Sequence, residues 1–382
     1  MKFQKAVQYI NIKILIYLLT AVTAVYTLIF TYIYNFKDDG YILADWLINY
    51  EDGGFKRRGL SGSFFFLLQD LTGISLNYLV YSCQFIIISL FFWLYVKLIR
   101  YKITTLLYLS LLLSAIGFVG LLNTVTYVGK KEFIVFLLFT WFVYLLDQDK
   151  LFKLKEYVFC VLLCISTLLH EVTLFFVPYF AIALYLKTGK LEIKRYIKYF
   201  ISVGVPAALI ILFGKNVNEG MSLEILSQRG VYPTYGIFYW DINERQYIKE
   251  HIAEYRLYFV SLVISIVHLS YYLKYLTGQK LLSILLAGAF LFSLPLFYLA
   301  IDWGRWMYIH MMLVIVLFAL LLKKGDSIYT YEPILINSKF YITLFIIIIS
   351  LIYRVEMSGI GFTWQGLIYR ILIAPLELLN KM

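Results

Sequence analysis

YVFCVLLCISTLLHEVTLFFVPYFAIALYL, running from Tyr157 to Leu186, is apolar throughout except for His170 and Glu171 at its centre. A helix crosses the hydrocarbon layer in roughly 20 residues, so this run is too long for one crossing. Its flanks, 147–156 and 187–198, carry three and five Lys/Arg. Basic segments stay on the cytoplasmic side, so both flanks are expected there and the run must cross twice. Each half, 157–169 and 172–186, is then only about 20 to 22 Å long. The His170–Glu171 turn is therefore expected below the membrane surface. Placing an ionisable pair there costs roughly 2.5 kcal/mol or more per charge, which marks the pair as functional. A neutral His bonded within the bundle is the alternative.

The same reading extends along the chain. The 382 residues are 62% hydrophobic and 15% charged, with a mean hydropathy of +0.80. That composition excludes a soluble domain. The expected fold class is an all-α integral membrane protein, a single transmembrane domain over 1–382 with about eleven spans. They are placed near 14–34, 76–96, 103–122, 132–146, 157–169, 172–186, 199–213, 257–273, 281–300, 307–322 and 340–353. The first lacks a small-residue cleavage site and reads as a retained span. Cys83, Cys160 and Cys164 all lie in apolar runs and read as packing residues.

With the N-terminus in the cytoplasm, the inner segments hold 19 of the 34 Lys/Arg and only 6 acids, leaving 15 cations and 17 acids outside. This bias fixes the expected orientation. The basic loops then face anionic lipid, and no nucleic-acid partner is needed.

Most unusual polar residues fall on the expected outer side. The first outer loop, 35–75, contains ADWLINYEDGGFKRRGLSG. Tyr41 to Tyr50 has helical apolar spacing and is expected to lie along the interface, anchored by Trp46. Gly53 and Gly54 permit a turn with positive φ. Arg57 and Arg58 follow, with guanidinium forks suited to phosphate; pairing of these cations with Glu51 or Asp52 is the bland reading. A second outer turn, GKKEF, brings Lys130 and Lys131 beside Glu132. A third, AIDWGRWMYIH, spaces Asp302 and Arg305 three apart. The long outer loop 214–256 offers Tyr235 and Trp240 as platforms for sugar rings and Arg229 for phosphate or hydroxyls. Residues 354–382 read as an interfacial tail.

Cations for phosphate, embedded His and carboxylates for proton transfer, and aromatics for sugars suit glycan transfer from a polyprenyl-phosphate or polyprenyl-pyrophosphate donor. His170 and Glu171 are the expected proton-transfer groups, with Asp45 and Asp302 as further acids. Arg57, Arg58, Lys130, Lys131, Arg305 and Arg229 are the expected phosphate contacts. No cofactor signature is present and no metal ligand set is read, although a divalent ion is not excluded.

The first-loop stretch, GKKEF, the LLHE…FFVP block and DWGRW resemble blocks of Wzy-like O-antigen and capsular polysaccharide polymerases. That resemblance implies a GT-C-like bundle in a bacterial inner membrane, active on its outer face. It implies joining of repeat units carried on undecaprenyl pyrophosphate. Membrane lipid, a flippase and a chain-length regulator are the implied partners. It also implies functional acids in the first outer loop, for which Asp38–Asp39 and Asp45 stand. Two other readings remain: a transferase adding one sugar from a polyprenyl-phosphate-sugar, and a flippase for lipid-linked oligosaccharide.

Overall fold

The computed structural model describes residues 6–7, 11–36, 40–215, 219–239, 243–276, 280–326 and 334–373. Long apolar runs become helices, one of them with Pro206 in its interior, and Gly or capping side chains set many of their ends. In chain order these are α1 (Ile12–Phe36), α2 (Tyr41–Trp46), α3 (Gly59–Thr72), α4 (Leu76–Ile99), α5 (Leu106–Leu112), α6 (Phe118–Asn123), α7 (Glu132–Asp147), α8 (Lys153–Leu169) and α9 (Thr173–Phe176). They continue as α10 (Pro178–Thr188), α11 (Ile193–Phe213), α12 (Glu219–Gln228), α13 (Glu244–Glu250), α14 (Ile252–Leu276), α15 (Lys280–Phe292), α16 (Leu294–Leu299), α17 (Trp303–Leu321) and α18 (Ser338–Ile352). A two-residue pairing joins β1 (Ala6–Val7) antiparallel to β2 (Ile334–Leu335).

Among the described residues, six helical stretches are long and apolar enough to cross a membrane: α1, α4, α11, α14, Lys280–Leu299 and α17. The chain is a helical, multi-pass membrane protein. The halves of the run quoted first are separate helices, as expected: α8 ends at Leu169, and the second half, Thr173–Thr188, is a shorter apolar stretch. The expected span 103–122 is different. It breaks after Leu112 into α5 and α6, because Leu113 to Gly117 turn the chain.

The chain divides into two compact units. One comprises 1–26, 95–127 and 243–382; the other comprises 27–94 and 128–242.

In the first unit α17 is buried along almost its whole length, with α5, α14 and α16 packed on it. Tyr272 stacks on Phe318 at 4.6 Å, and the Tyr108 hydroxyl donates to the Ile315 carbonyl at 3.1 Å. The histidines are bonded internally: His268 Nε2 lies 2.8 Å from Ser110 Oγ, and His310 Nε2 lies 2.7 Å from Ser293 Oγ.

In the second unit α8 packs along α11, with α7 and α10 beside them. Phe142 sits at the centre of this packing, with Phe159, Phe180 and Tyr199 around it at 5.0 to 5.6 Å between ring centroids. At one end the buried Glu156 of α8 accepts from Arg195, Lys198 and Tyr199 of α11. At the other end, α7 begins and α8 stops.

Candidate functional site

Four chain segments of the second unit bring their polar residues together: α2, the start of α3, the start of α7, and the α8–α9 break. Helix α2 is not an interfacial strip. Its residues from Ile42 to Trp46 are buried, and the Trp46 indole donates to the Gly129 carbonyl at 2.8 Å. This places Asp45 inside. The chain then turns through Gly53 and Gly54, both with positive φ as the sequence predicts. At Gly62 an added Cβ would lie 2.3 Å from the Ile48 carbonyl, so only glycine lets α3 approach so closely.

The three cations of KRR have three separate fates. Lys56 is buried and pairs with Asp52, which also accepts from Ser222. That is the bland reading, and for Lys56 it holds. Arg57 keeps its side chain 52% exposed, with Nη1 3.9 Å from a Glu171 oxygen. Arg58 is buried and adopts a left-handed backbone, φ 62°, rare for a side chain with a Cβ. Its guanidinium grips Glu171 with Nη2 at 2.8 Å and Nε at 3.0 Å, while Nη1 donates to Asp45 Oδ1 at 3.1 Å.

The α8–α9 break supplies the remaining acid and the imidazole. His170 leaves the helix with extended backbone, and Ser166 Oγ lies 2.9 Å from Thr173 Oγ1 across the turn. The His170 side chain is 2% exposed. Its Nε2 lies 3.2 Å from Glu132 Oε1 and its Nδ1 lies 3.5 Å from Glu171 Oε2. Imidazole is thus held between two carboxylates. A continuous line of groups of alternating kind results: Glu132, His170, Glu171, Arg58, Asp45.

Two lysines complete the cluster. Lys130 places its ammonium 3.8 Å over the Tyr41 ring, and Tyr235 packs against that same ring at 5.6 Å. Lys131 is 0% exposed, with Nζ 5.8 Å from the centre of the Trp46 ring. Among the described residues its ammonium has no hydrogen-bond partner, and neither does Asp45 Oδ2. Setting His170 aside, four cations (Arg57, Arg58, Lys130, Lys131) meet three acids (Asp45, Glu132, Glu171), an excess of one positive charge.

The electrostatics follow from this geometry. Burial acts to raise the Asp45 pKa, but Lys131, Arg58 and Lys130 outweigh it and hold the carboxyl far below the usual carboxylate range. Burial acts likewise on Glu171, and Arg58, His170 and Arg57 reverse it. Both acids are therefore ionised at neutral pH. For Arg58, burial is outweighed by Glu171 and Asp45, so its charge is permanent. Lys131 behaves in the opposite way: burial brings its ammonium down to about 8, and the nearby acids offset this only in part.

Of the residues expected from sequence, Asp45, Arg57, Arg58, Lys130, Lys131, His170 and Glu171 meet here, with Tyr235 at the edge. Arg229 is not among them. It pairs with Asp70 at 2.8 Å and Glu51 at 3.2 Å, and its guanidinium lies over the Phe66 ring at 4.2 Å. Asp302 and Arg305 belong to the other unit, where they pair with each other at 3.0 Å. Trp240, Asp38 and Asp39, and the tail beyond 373, lie outside the described residues. Glu132 has a larger place than sequence gave it, as the second acid on His170. Gln84 and Asn35 are not among the residues expected from sequence; that they are amides inside apolar runs is the one signal that marks them.

Compared with known proteins, the chain matches no family model, no curated protein and no solved structure.

Proposed function

We propose that the second unit holds the active site of a membrane glycosyltransferase. It uses a polyprenyl-pyrophosphate-linked glycan as donor at the outer face of a bacterial cytoplasmic membrane, and joins lipid-linked repeat units into polymer. The observation that carries this reading is the largely buried cluster, net positive once the half-exposed Arg57 is counted, in which an imidazole sits between two carboxylates beside an ammonium lacking a hydrogen bond. Such a site suits an anion together with a proton to be moved.

In the proposed step the acceptor hydroxyl oxygen bonds to the anomeric carbon of the donor sugar. The bond from that carbon to the phosphate oxygen breaks, and the electron pair leaves with the polyprenyl pyrophosphate. His170 takes the hydroxyl proton, with Glu132 and Glu171 stabilising the imidazolium. Arg57 and Lys131 take the charge developing on the leaving phosphate. Arg58 is already occupied by Asp45 and Glu171, so it holds the site together and is not a phosphate contact. Asp45 and Glu171 are kept ionised by their cations, which makes them weak bases beside His170.

The resemblance of the loop motifs to Wzy-like polymerases agrees with this reading. Replacing His170 with Ala or Arg57 with Ala, then sizing the cell-surface glycan, tests it. Membrane-inserted variants should yield single capped repeats in place of a length ladder. Glycan one sugar short would mean a transferase that adds one sugar. Intermediates left in the cytoplasm would mean a flippase. A normal ladder from both variants would remove the proposal.

A further inference from the structure

Helix α4 is an apolar membrane helix, yet Gln84 within it is only 1% exposed. A side-chain amide in such a place is costly unless it is bonded. Its Nε2 donates to the Gly129 carbonyl at 2.8 Å, and its Oε1 accepts from Asn35 Nδ2 at 2.7 Å. The Trp46 indole donates to the same Gly129 carbonyl, also at 2.8 Å. A carbonyl oxygen has two lone pairs, and here two side chains from different helices take both. Gly129 has φ 66°, and an added Cβ would lie 3.1 Å from Ile42 and Thr31 methyl groups. The turn is thus pinned by two donors, and any side chain at position 129 would be strained. Lys130 and Lys131 come next in the chain.

We propose that Gln84, together with Trp46, is a positioning residue: it pins the Gly129 turn so that the Lys131 ammonium stays inside the cluster, unbonded, for an anionic group of the substrate. The ligand part of this proposal rests on the glycan-transfer reading; the hold on the turn does not. A lysine side chain is long and rotatable and loses about 2 kcal/mol of rotamer freedom when fixed. Left to itself it would swing to a carboxylate or to water. Asp45 of α2, Glu132 of α7, and Arg58 and Glu171 beside them are the charged groups that face it. Only a fixed backbone keeps the ammonium among these groups without a bond to any of them. The lowered proton affinity of Lys131 agrees with that confinement.

The test reads Lys131 directly. Full-length protein in lipid nanodiscs is trace-labelled with acetic anhydride across a pH series, and the peptide carrying Lys131 is quantified by mass spectrometry. Other lysines in the digest serve as references. Wild type should label with a midpoint near 8. Gln84→Met keeps the volume and removes both hydrogen bonds; its midpoint should rise by about one unit or more, roughly a tenfold loss of reactive amine at a given pH. Trp46→Phe removes the other donor and should move the midpoint the same way; it stands in if Gln84→Met does not insert. An unmoved midpoint overturns the positioning role, whatever the glycan does. A moved midpoint with shortened glycan in Gln84→Met cells supports the whole proposal. A moved midpoint with a normal ladder supports the hold on the turn and overturns the assignment of this cluster to glycan transfer.

Discussion

Replacing Arg58 should be the most damaging single change in the cluster. Its guanidinium donates to Glu171 at 2.8 and 3.0 Å and to Asp45 at 3.1 Å, with side-chain exposures of 11%, 25% and 8% for Arg58, Glu171 and Asp45. Arg58→Ala leaves the buried Asp45 and the partly buried Glu171 without their shared partner. Breaking a buried ion pair from one side costs about 3 to 5 kcal/mol. The carboxyls can limit that loss by taking up protons, which makes the cost depend on pH. In wild type both acids have depressed pKa values, so their stabilisation is present above the unfolded values of 3.8 and 4.5 and is lost as pH falls below them. The penalty of Arg58→Ala should therefore be largest near neutral pH and shrink in acid. A second variant isolates the backbone. Because φ at 58 is positive, Arg58→Gly should retain about 1 kcal/mol more stability than Arg58→Ala. Reversible unfolding in mixed micelles at several pH values measures all three proteins. A loss below about 1 kcal/mol at neutral pH would place this pair with weak surface bridges and refute the reasoning.

Lys131→Met should stabilise the protein below pH 8, by on the order of 1 to 3 kcal/mol. The folded ammonium titrates near 8 against 10.5 unfolded, so its cost is fully present below 8 and disappears as pH climbs to 10.5. The same unfolding series shows the gain or its absence. Glu156→Gln should loosen the α8–α11 end by about 1 to 3 kcal/mol, because three donors lose their charged acceptor. Glycan length should stay normal in that variant. Arg229→Ala should also leave glycan length unchanged, since Arg229 is engaged by Glu51 and Asp70; a shortened ladder would return it to the site.

How far the sequence could be read depends on the kind of signal. The break inside 157–186 is legible because charge flanks and length leave few alternatives, and the helix does stop before His170. The 103–122 run reads as one span in sequence, because hydropathy does not register the turn after Leu112. The first-loop residues were correctly grouped with GKKEF and the His–Glu turn, since scarce ionic groups in an apolar chain must find one another. Their roles were less legible. KRR carries no mark that Lys56 pairs with Asp52, Arg58 bridges two acids and Arg57 stays half-exposed; each depends on contacts distant in sequence. Trp46 has the composition of an interface anchor, and only the nearby Gly129 carbonyl makes it an internal donor. Gln84 is hard to read from sequence for a related reason. A single amide does not disturb an apolar run, and its importance comes from what it bonds.

The central claim is that Arg57 and Lys131 serve one anion site in the second unit. Calorimetric titration of farnesyl pyrophosphate into the purified protein, with inorganic pyrophosphate as the lipid-free comparison, tests it most directly. Wild type should bind the lipid pyrophosphate, and Arg57→Ala and Lys131→Met should each bind at least about tenfold more weakly, or 1.4 kcal/mol, while Arg229→Ala binds like wild type. Equal affinity in all four proteins would contradict the account.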